Sequence, residues 1–162
     1  MRGSRTLSTQ SIDQNEDGTP MNEEELKVKR KYIDFAKITF PEVNPIDFTV
    51  PAIKGNGQVR LQNYRYPCAP GVERKGIVQY IHGNSDYGGR YAFMAKTLAE
   101  NGYEVFALDR RGFGFSEGQR GYLHSIECIK DDVLTYSQKV KDVYGGEGVP
   151  YFTIGHSLGS SL

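Results

Sequence analysis

Five residues near the end of the 162-residue sequence, Gly155-His156-Ser157-Leu158-Gly159, follow directly on the apolar run Tyr151 to Ile154. A serine between two glycines at this spacing, placed between a strand and a helix, has a defined chemical use. The turn forces the serine into a strained backbone conformation, and the glycines remove side chains that would clash. Such a turn lifts Ser157 Oγ clear of the sheet as a nucleophile for acyl transfer. It also sets the backbone N–H of Leu158 at a helix amino terminus, where positive partial charge stabilises an oxyanion. Gly155, His156 and Gly159 support that geometry. The plain alternative is a glycine-rich turn with an incidental serine, and the strand-like run before it favours the chemical reading.

Two further apolar runs end in unusual loops. Ile77 to Ile81 leads into His82-Gly83-Asn84-Ser85-Asp86, and Val105 to Leu108 leads into Asp109-Arg110-Arg111-Gly112-Phe113-Gly114. The second loop resembles a phosphate cradle only superficially. A dinucleotide fingerprint starting at Gly112 needs a glycine at 117, where Glu117 would oppose a pyrophosphate, and no Walker lysine follows. The sequence has three histidines, His82, His124 and His156. His156 adjoins Ser157 and reads as a structural histidine pointing away from the turn's tip, His82 as a hydrogen-bonding member of its loop, and His124 as a surface residue.

These loops need a scaffold. The three apolar runs are short and nearly continuous, the pattern of strands covered on both faces of a parallel sheet. Between them, Tyr91, Met94, Ala95 and Leu98 share one helical face, stopped by Asn101-Gly102. Ile126, Ile129, Val133, Tyr136, Val140 and Val143 share another, capped by Ser125 and ended by Gly145. Upstream, Ile46, Phe48 and Val50 alternate with polar residues, as do Val59 and Leu61, and Gly55-Asn56-Gly57 between them predicts an antiparallel hairpin. The fold class expected is α/β: a hairpin leading into a mostly parallel sheet flanked by helices, with the chemistry at the carboxyl ends of the strands. Residues 1–21 are polar and read as a disordered leader. Residues 22–40 read as a helix with Asn22 as cap, and residues 41–162 as the α/β region.

Composition narrows the function further. Lys+Arg and Asp+Glu both number 20, so no basic field draws the chain to nucleic acid. The run Lys27 to Lys31 offers a peripheral membrane contact, but with the three glutamates Glu23 to Glu25 just before it a solvated helix face suits better. Cys68 and Cys128 have no metal-ligand spacing and fit a reducing compartment. Arg2 and Arg5 faintly suggest a transit peptide, which Asp13, Glu16 and Asp17 interrupt; no secretory signal or membrane-length run is present. The expectation is a cytoplasmic protein, with no metal and no cofactor.

Taken in order, His82 to Tyr91, Asp109 to Gly118 and Gly155 to Gly159 resemble the monoacylglycerol lipase and serine aminopeptidase S33 branch of the α/β hydrolases, over about Ile46 to Leu162. The resemblance implies a nucleophile elbow at Ser157 and an oxyanion hole formed by the backbone N–H groups of Asn84 and Leu158. It makes His82 and Gly83 supports of the oxyanion loop, and Asp109 a loop-organising acid rather than a catalytic one. Ser85 stands where the family usually has glycine, Asp86 where it has glutamate, and Tyr87 where histidine is frequent. The implied activity is cleavage of acylglycerol esters through an acyl-enzyme on Ser157, with a small lipid or ester as substrate. In this fold the acid and the histidine follow the serine, yet only Leu158 to Leu162 do so here. The chain is therefore expected to be the front half of the domain, to need a missing C-terminal half for activity, and to be nearly inert alone. A truncated, non-catalytic binding module and an amide or peptide hydrolase of the same fold are the alternatives.

Overall fold

The computed structural model describes residues 22–24 and 41–162. The leader assigned to 1–21 and most of the helix assigned to 22–40 lie outside the described residues. Within the short described stretch, Glu23 and Glu24 are helical. The Glu24 N–H donates to Asn22 Oδ1 at 3.0 Å.

Among the described residues seven strands and two α-helices follow. β1 (Glu42–Val43), β4 (Asn63–Tyr66), β5 (Gly76–Ile81), β6 (Tyr103–Leu108) and β7 (Tyr151–Gly155) form one sheet in the order β1-β4-β6-β5-β7. β5 pairs in parallel with β6, Ile77 opposite Glu104, and with β7, Ile77 opposite Tyr151. β4 runs antiparallel to β6, and β1 antiparallel to β4. The hairpin expected around Gly55-Asn56-Gly57 is present as β2 (Thr49–Pro51) and β3 (Gln58–Arg60), with Val50 opposite Val59. It forms a two-stranded sheet of its own.

Successive side chains of a strand face opposite ways, so β5 feeds two cores at once. Ile77 packs with Phe48, Val50, Phe106, Tyr136 and Val140 on one face. Val78 and Tyr80 pack with Tyr64, Val105, Ala92 and Ala95 on the other. α1 (Ala92–Glu100) thus covers one face and α2 (Ile126–Tyr144) the opposite one, as crossovers joining parallel strands require. Ser125 caps α2 by accepting from the Cys128 N–H at 3.1 Å.

Two expectations need correction. Ile126 and Val143 were placed on the buried stripe of α2 but are 46% and 59% exposed. They sit in the end turns, and in the last one it is Tyr144, not Val143, that packs against Phe106 of β6, while Asp132 takes a buried place because Arg111 pairs with it through two contacts of 2.6 Å. β7 was expected to be covered on both faces, yet Phe152 is 47% and Ile154 36% exposed. Among the described residues β7 has one strand neighbour and lies at the sheet edge. Cys68 and Cys128 are both free thiols. No helix among the described residues is long and apolar enough to cross a membrane.

Candidate active site

Three strands deliver three loops to one sheet end. At the end of β7 the backbone is extended at His156 (φ −113°, ψ 130°) and then turns into the left-handed region at Ser157 (φ +52°), where a short 3-10 turn, Ser157–Ser161, begins. A non-glycine residue there carries a cost of about 1–2 kcal/mol, so the surrounding structure must impose it. The His156 N–H is anchored on the Ile81 carbonyl at 3.0 Å, and the Gly159 N–H on the His156 carbonyl at 2.9 Å. Neither flanking glycine has room for a Cβ: at Gly155 it would meet the Gly159 carbonyl and lie 2.6 Å from Ser160 Cα. At Gly159 it would meet the Ile81 carbonyl and lie 2.9 Å from the His82 carbonyl. Ser157 itself is exposed. Leu158 is the second residue of the turn, in the amino-terminal region whose N–H groups lack partners within it.

The loop after β5 lies against this turn. A Cβ on Gly83 would come within 2.9 Å of His156 Nδ1 and 3.1 Å of Ser157 Cβ, so only glycine permits the approach. His82 is wholly buried. Its Nε2 accepts from the Arg110 N–H at 3.0 Å, which places the ring proton on Nδ1, 2.8 Å from the Gly83 carbonyl. Burial, and after it the Arg110 charge, lower this imidazole to about 4, so it is neutral near pH 7. Asn84 and Ser85 are exposed at the loop tip, and Ser85 adopts φ +54°. The position where the family usually has glycine is thus one that asks for a left-handed backbone.

Asp86 turns inward. It accepts from the Tyr91 hydroxyl at 2.6 Å and pairs with Arg90 at 2.8 Å. The same Tyr91 hydroxyl lies 3.1 Å from His156 Nδ1. Since the hydroxyl proton goes to Asp86, the His156 Nδ1–H donates to Tyr91. His156 therefore leans over the loop after β5, and its ring turns toward Tyr91.

The loop after β6 is organised by Asp109, which is wholly buried. Its carboxylate accepts from the Gly88 N–H at 2.6 Å, and from the Tyr64 hydroxyl and the Phe115 N–H at 2.9 Å each. Burial nonetheless pushes this carboxyl up to about 6. Ser116 Oγ donates to the Asp109 carbonyl at 2.5 Å. Glu117 accepts from the Arg60 N–H at 2.8 Å, tying this loop to the hairpin. His124 is exposed, beside Tyr122.

The fold thus brings together Ser157, Leu158, Gly155, His156 and Gly159 with His82, Gly83 and Asn84, and sets Asp109 apart with its carboxylate taken up by Gly88, Tyr64 and Phe115. Arg110 and Tyr91 are the participants that sequence reasoning did not single out. Tyr91 counted toward a helix face and as the end of the His82 to Tyr91 stretch, without a role of its own; for Arg110, a charge in a loop between buried runs was the available signal. Among the described residues no cluster of three His, Cys, Asp or Glu side chains is placed to hold a metal ion.

A parallel sheet with an antiparallel flank, helices on both faces and a strained serine turn at a strand's carboxyl end defines the α/β-hydrolase fold, and solved structures agree. A soluble variant of monoglyceride lipase from Saccharomyces cerevisiae, in complex with a substrate analog, matches with TM-score 0.58 and 27% identity, over 70% of this chain and 38% of that one. A thermostable carboxyl esterase from Bacillus coagulans matches with TM-score 0.55 and 27% identity, over 71% of this chain and 37% of that one. Human monoglyceride lipase is 29% identical over 122 residues, 75% of this chain and 39% of that protein. The profile of the serine aminopeptidase, S33 family matches residues 72–162, and the chain belongs to that family. It spans about two fifths of the length of the human relative.

Proposed function

We propose that this chain supplies the nucleophile and the oxyanion hole of a serine hydrolase acting on carboxylic esters of the monoacylglycerol class. The observation that carries the reading is Ser157 at φ +52°, exposed between two glycines that cannot hold a side chain, with Gly83 packed against it. Ser157 Oγ attacks the ester carbonyl while its proton passes to a base. The developing oxyanion takes hydrogen bonds from the Asn84 and Leu158 N–H groups, and the alkoxy group leaves with the proton. Water then releases the acid by the same route.

The base is none of the three histidines of residues 1–162. Both nitrogens of His82 are engaged, Nδ1 with the Gly83 carbonyl of its own loop and Nε2 with the Arg110 N–H of the loop after β6. His124 is on the surface before α2, and His156 adjoins the nucleophile with its ring turned to Tyr91. Residues 1–162 alone are therefore expected to accelerate ester hydrolysis by no more than about 10³- to 10⁴-fold over water, the remainder that an oxyanion hole and binding give without a triad. The glyceride substrate is supported by the named relatives. Amide or peptide hydrolysis by the same steps is favoured by the family's aminopeptidase description.

A fluorophosphonate probe tests the nucleophile. The intact protein is expected to label at Ser157, and labelling that persists in Ser157→Ala would sink the reading. Turnover of a monoacylglycerol against an aminoacyl arylamide then separates the two substrate classes.

A further inference from the structure

Arg110 is 1% exposed and heads the largest side chains so deeply buried, yet among the described residues no carboxylate lies within ion-pair distance of it, and Asp86 acts on its charge only from farther away. Its neighbour Arg111 shows the ordinary solution, a two-contact pair with Asp132. Arg110 instead directs Nη2 to the Gly83 carbonyl at 2.6 Å, and its Nε and Nη1 have no hydrogen-bond partner among the described residues. A guanidinium stays charged in proteins, and leaving its donors unmatched away from water is unfavourable. Packing alone is better served by an apolar side chain here, so the one bond that Arg110 does make needs an explanation.

The Gly83 carbonyl is the oxygen of the peptide that joins Gly83 to Asn84, and the same planar unit carries the Asn84 N–H. In a trans peptide the two groups point in opposite directions, so whatever holds the oxygen also aims the hydrogen. Two donors hold it, Arg110 Nη2 at 2.6 Å and His82 Nδ1 at 2.8 Å. Residue 110 controls both. Its side chain is the first donor, and its backbone N–H, by binding His82 Nε2, fixes the tautomer that makes His82 the second. The Phe113 ring lies 5.0 Å from the guanidinium carbon and steadies it from another side.

We propose, resting on the oxyanion role assigned to the Asn84 N–H, that Arg110 is a positioning residue which clamps and polarises the Gly83–Asn84 peptide. The clamp is needed because glycine leaves this peptide free to rotate, and because Ser85, one residue beyond Asn84, sits in a strained left-handed conformation. A charge-assisted bond to the carbonyl draws electron density from the amide and strengthens its N–H as a donor. The effect falls on the transition state, where the oxyanion exists, and leaves ground-state binding unaltered.

The experiment compares Arg110→Met and Arg110→Lys with wild type in the intact protein. It reads kcat, KM and inhibition by phenylboronic acid, whose serine adduct places an oxygen in the oxyanion site. Arg110→Met is expected to lower kcat by about 10- to 100-fold, below the loss from deleting a direct donor, with KM within about twofold. Phenylboronic acid inhibition should weaken by a similar factor, and Arg110→Lys should recover part of both losses. A folded Arg110→Met protein with wild-type kcat would overturn the proposal. So would a loss appearing only in KM, or an Arg110→Lys protein that folds normally yet recovers neither reading. Ser157→Ala, run in parallel with the fluorophosphonate probe, separates failure of the clamp from failure of the site: continued labelling condemns the site, whereas lost labelling with unchanged Arg110 variants condemns the clamp alone.

Discussion

His82 and Asp109 are both wholly removed from water, and burial moves their proton affinities in directions that oppose each other in the stability of the fold. The imidazole falls from 6.5 to about 4, so on acidification the unfolded chain takes up this proton first. The stability involved is complete above pH 6.5 and is lost as pH falls toward 4, about 3 kcal/mol in all. The carboxyl of Asp109 rises from 3.8 to about 6, so here the folded chain is protonated first and stability is regained as pH falls from 6 to 3.8. Wild-type stability therefore carries two cancelling slopes. Removing one partner exposes the other: the stability difference between wild type and His82→Gln should shrink by about 2–3 kcal/mol between pH 7 and pH 4.5, read from urea midpoints. A constant difference would mean that His82 is not held neutral in the fold. The turn at Ser157 permits a second test at this scale. Alanine keeps the left-handed strain and glycine relieves it, so Ser157→Gly should be more stable than Ser157→Ala by about 1 kcal/mol, although both lack the hydroxyl. Equal stability would show that the turn is unstrained. This turn was readable in the sequence because glycine spacing encodes backbone shape directly. Arg110 was not, because its partner is a carbonyl 27 residues away in the chain, and nothing local marks that contact.

Among the elements, β5, β6 and β7 were legible as apolar runs and the hairpin as two alternating segments around glycines. β4 was missed because Asn63-Tyr64-Arg65-Tyr66 has no such run. Its buried members are Asn63 and two tyrosines, and Arg65 is held by Glu104 on β6 and by Glu42 on β1. Glu104 is in turn a buried carboxylate, 2% exposed, in a strand otherwise read as apolar, and Arg65 and Arg74 meet it at 2.5 Å and 2.9 Å. Local pattern cannot announce a charge that is tolerated because of partners in other elements. Removing this acid leaves two partly buried cations facing each other, so Glu104→Ala should cost about 3 kcal/mol in chemical denaturation. A loss below about 1 kcal/mol would show that the pair behaves as a surface ion pair. The helix stripes were legible because period 3.6 gives the face, but not which residue of an end turn takes it: at the end of α2 Tyr144 packs on Phe106 and Val143 is left exposed.

For the molecule as a whole, the described sheet presents β7 as an edge, with Phe152 and Ile154 exposed on one side of the strand and Thr153 exposed on the other. Beside it a groove of about 280 Å³ is lined by Ile81, Val133, Leu134 and Leu162 together with Lys130, Ser137 and Thr153. An unpaired strand edge carrying apolar side chains is a template for another strand, and the neighbouring groove adds apolar area to the contact. The polypeptide of residues 1–162 produced by itself is therefore expected to self-associate, with a weight-average mass in light scattering that rises with concentration. Charges on the edge should oppose this without disturbing the core, since neither side chain is buried. Phe152→Lys combined with Ile154→Lys should return the mass toward 18.2 kDa, whereas Val43→Lys, an equally exposed apolar residue on the opposite edge strand, should not. If the unaltered polypeptide is monodisperse at all concentrations, β7 is not an adhesive edge. If the change at Val43 works as well as the pair on β7, association runs through the other edge of the sheet.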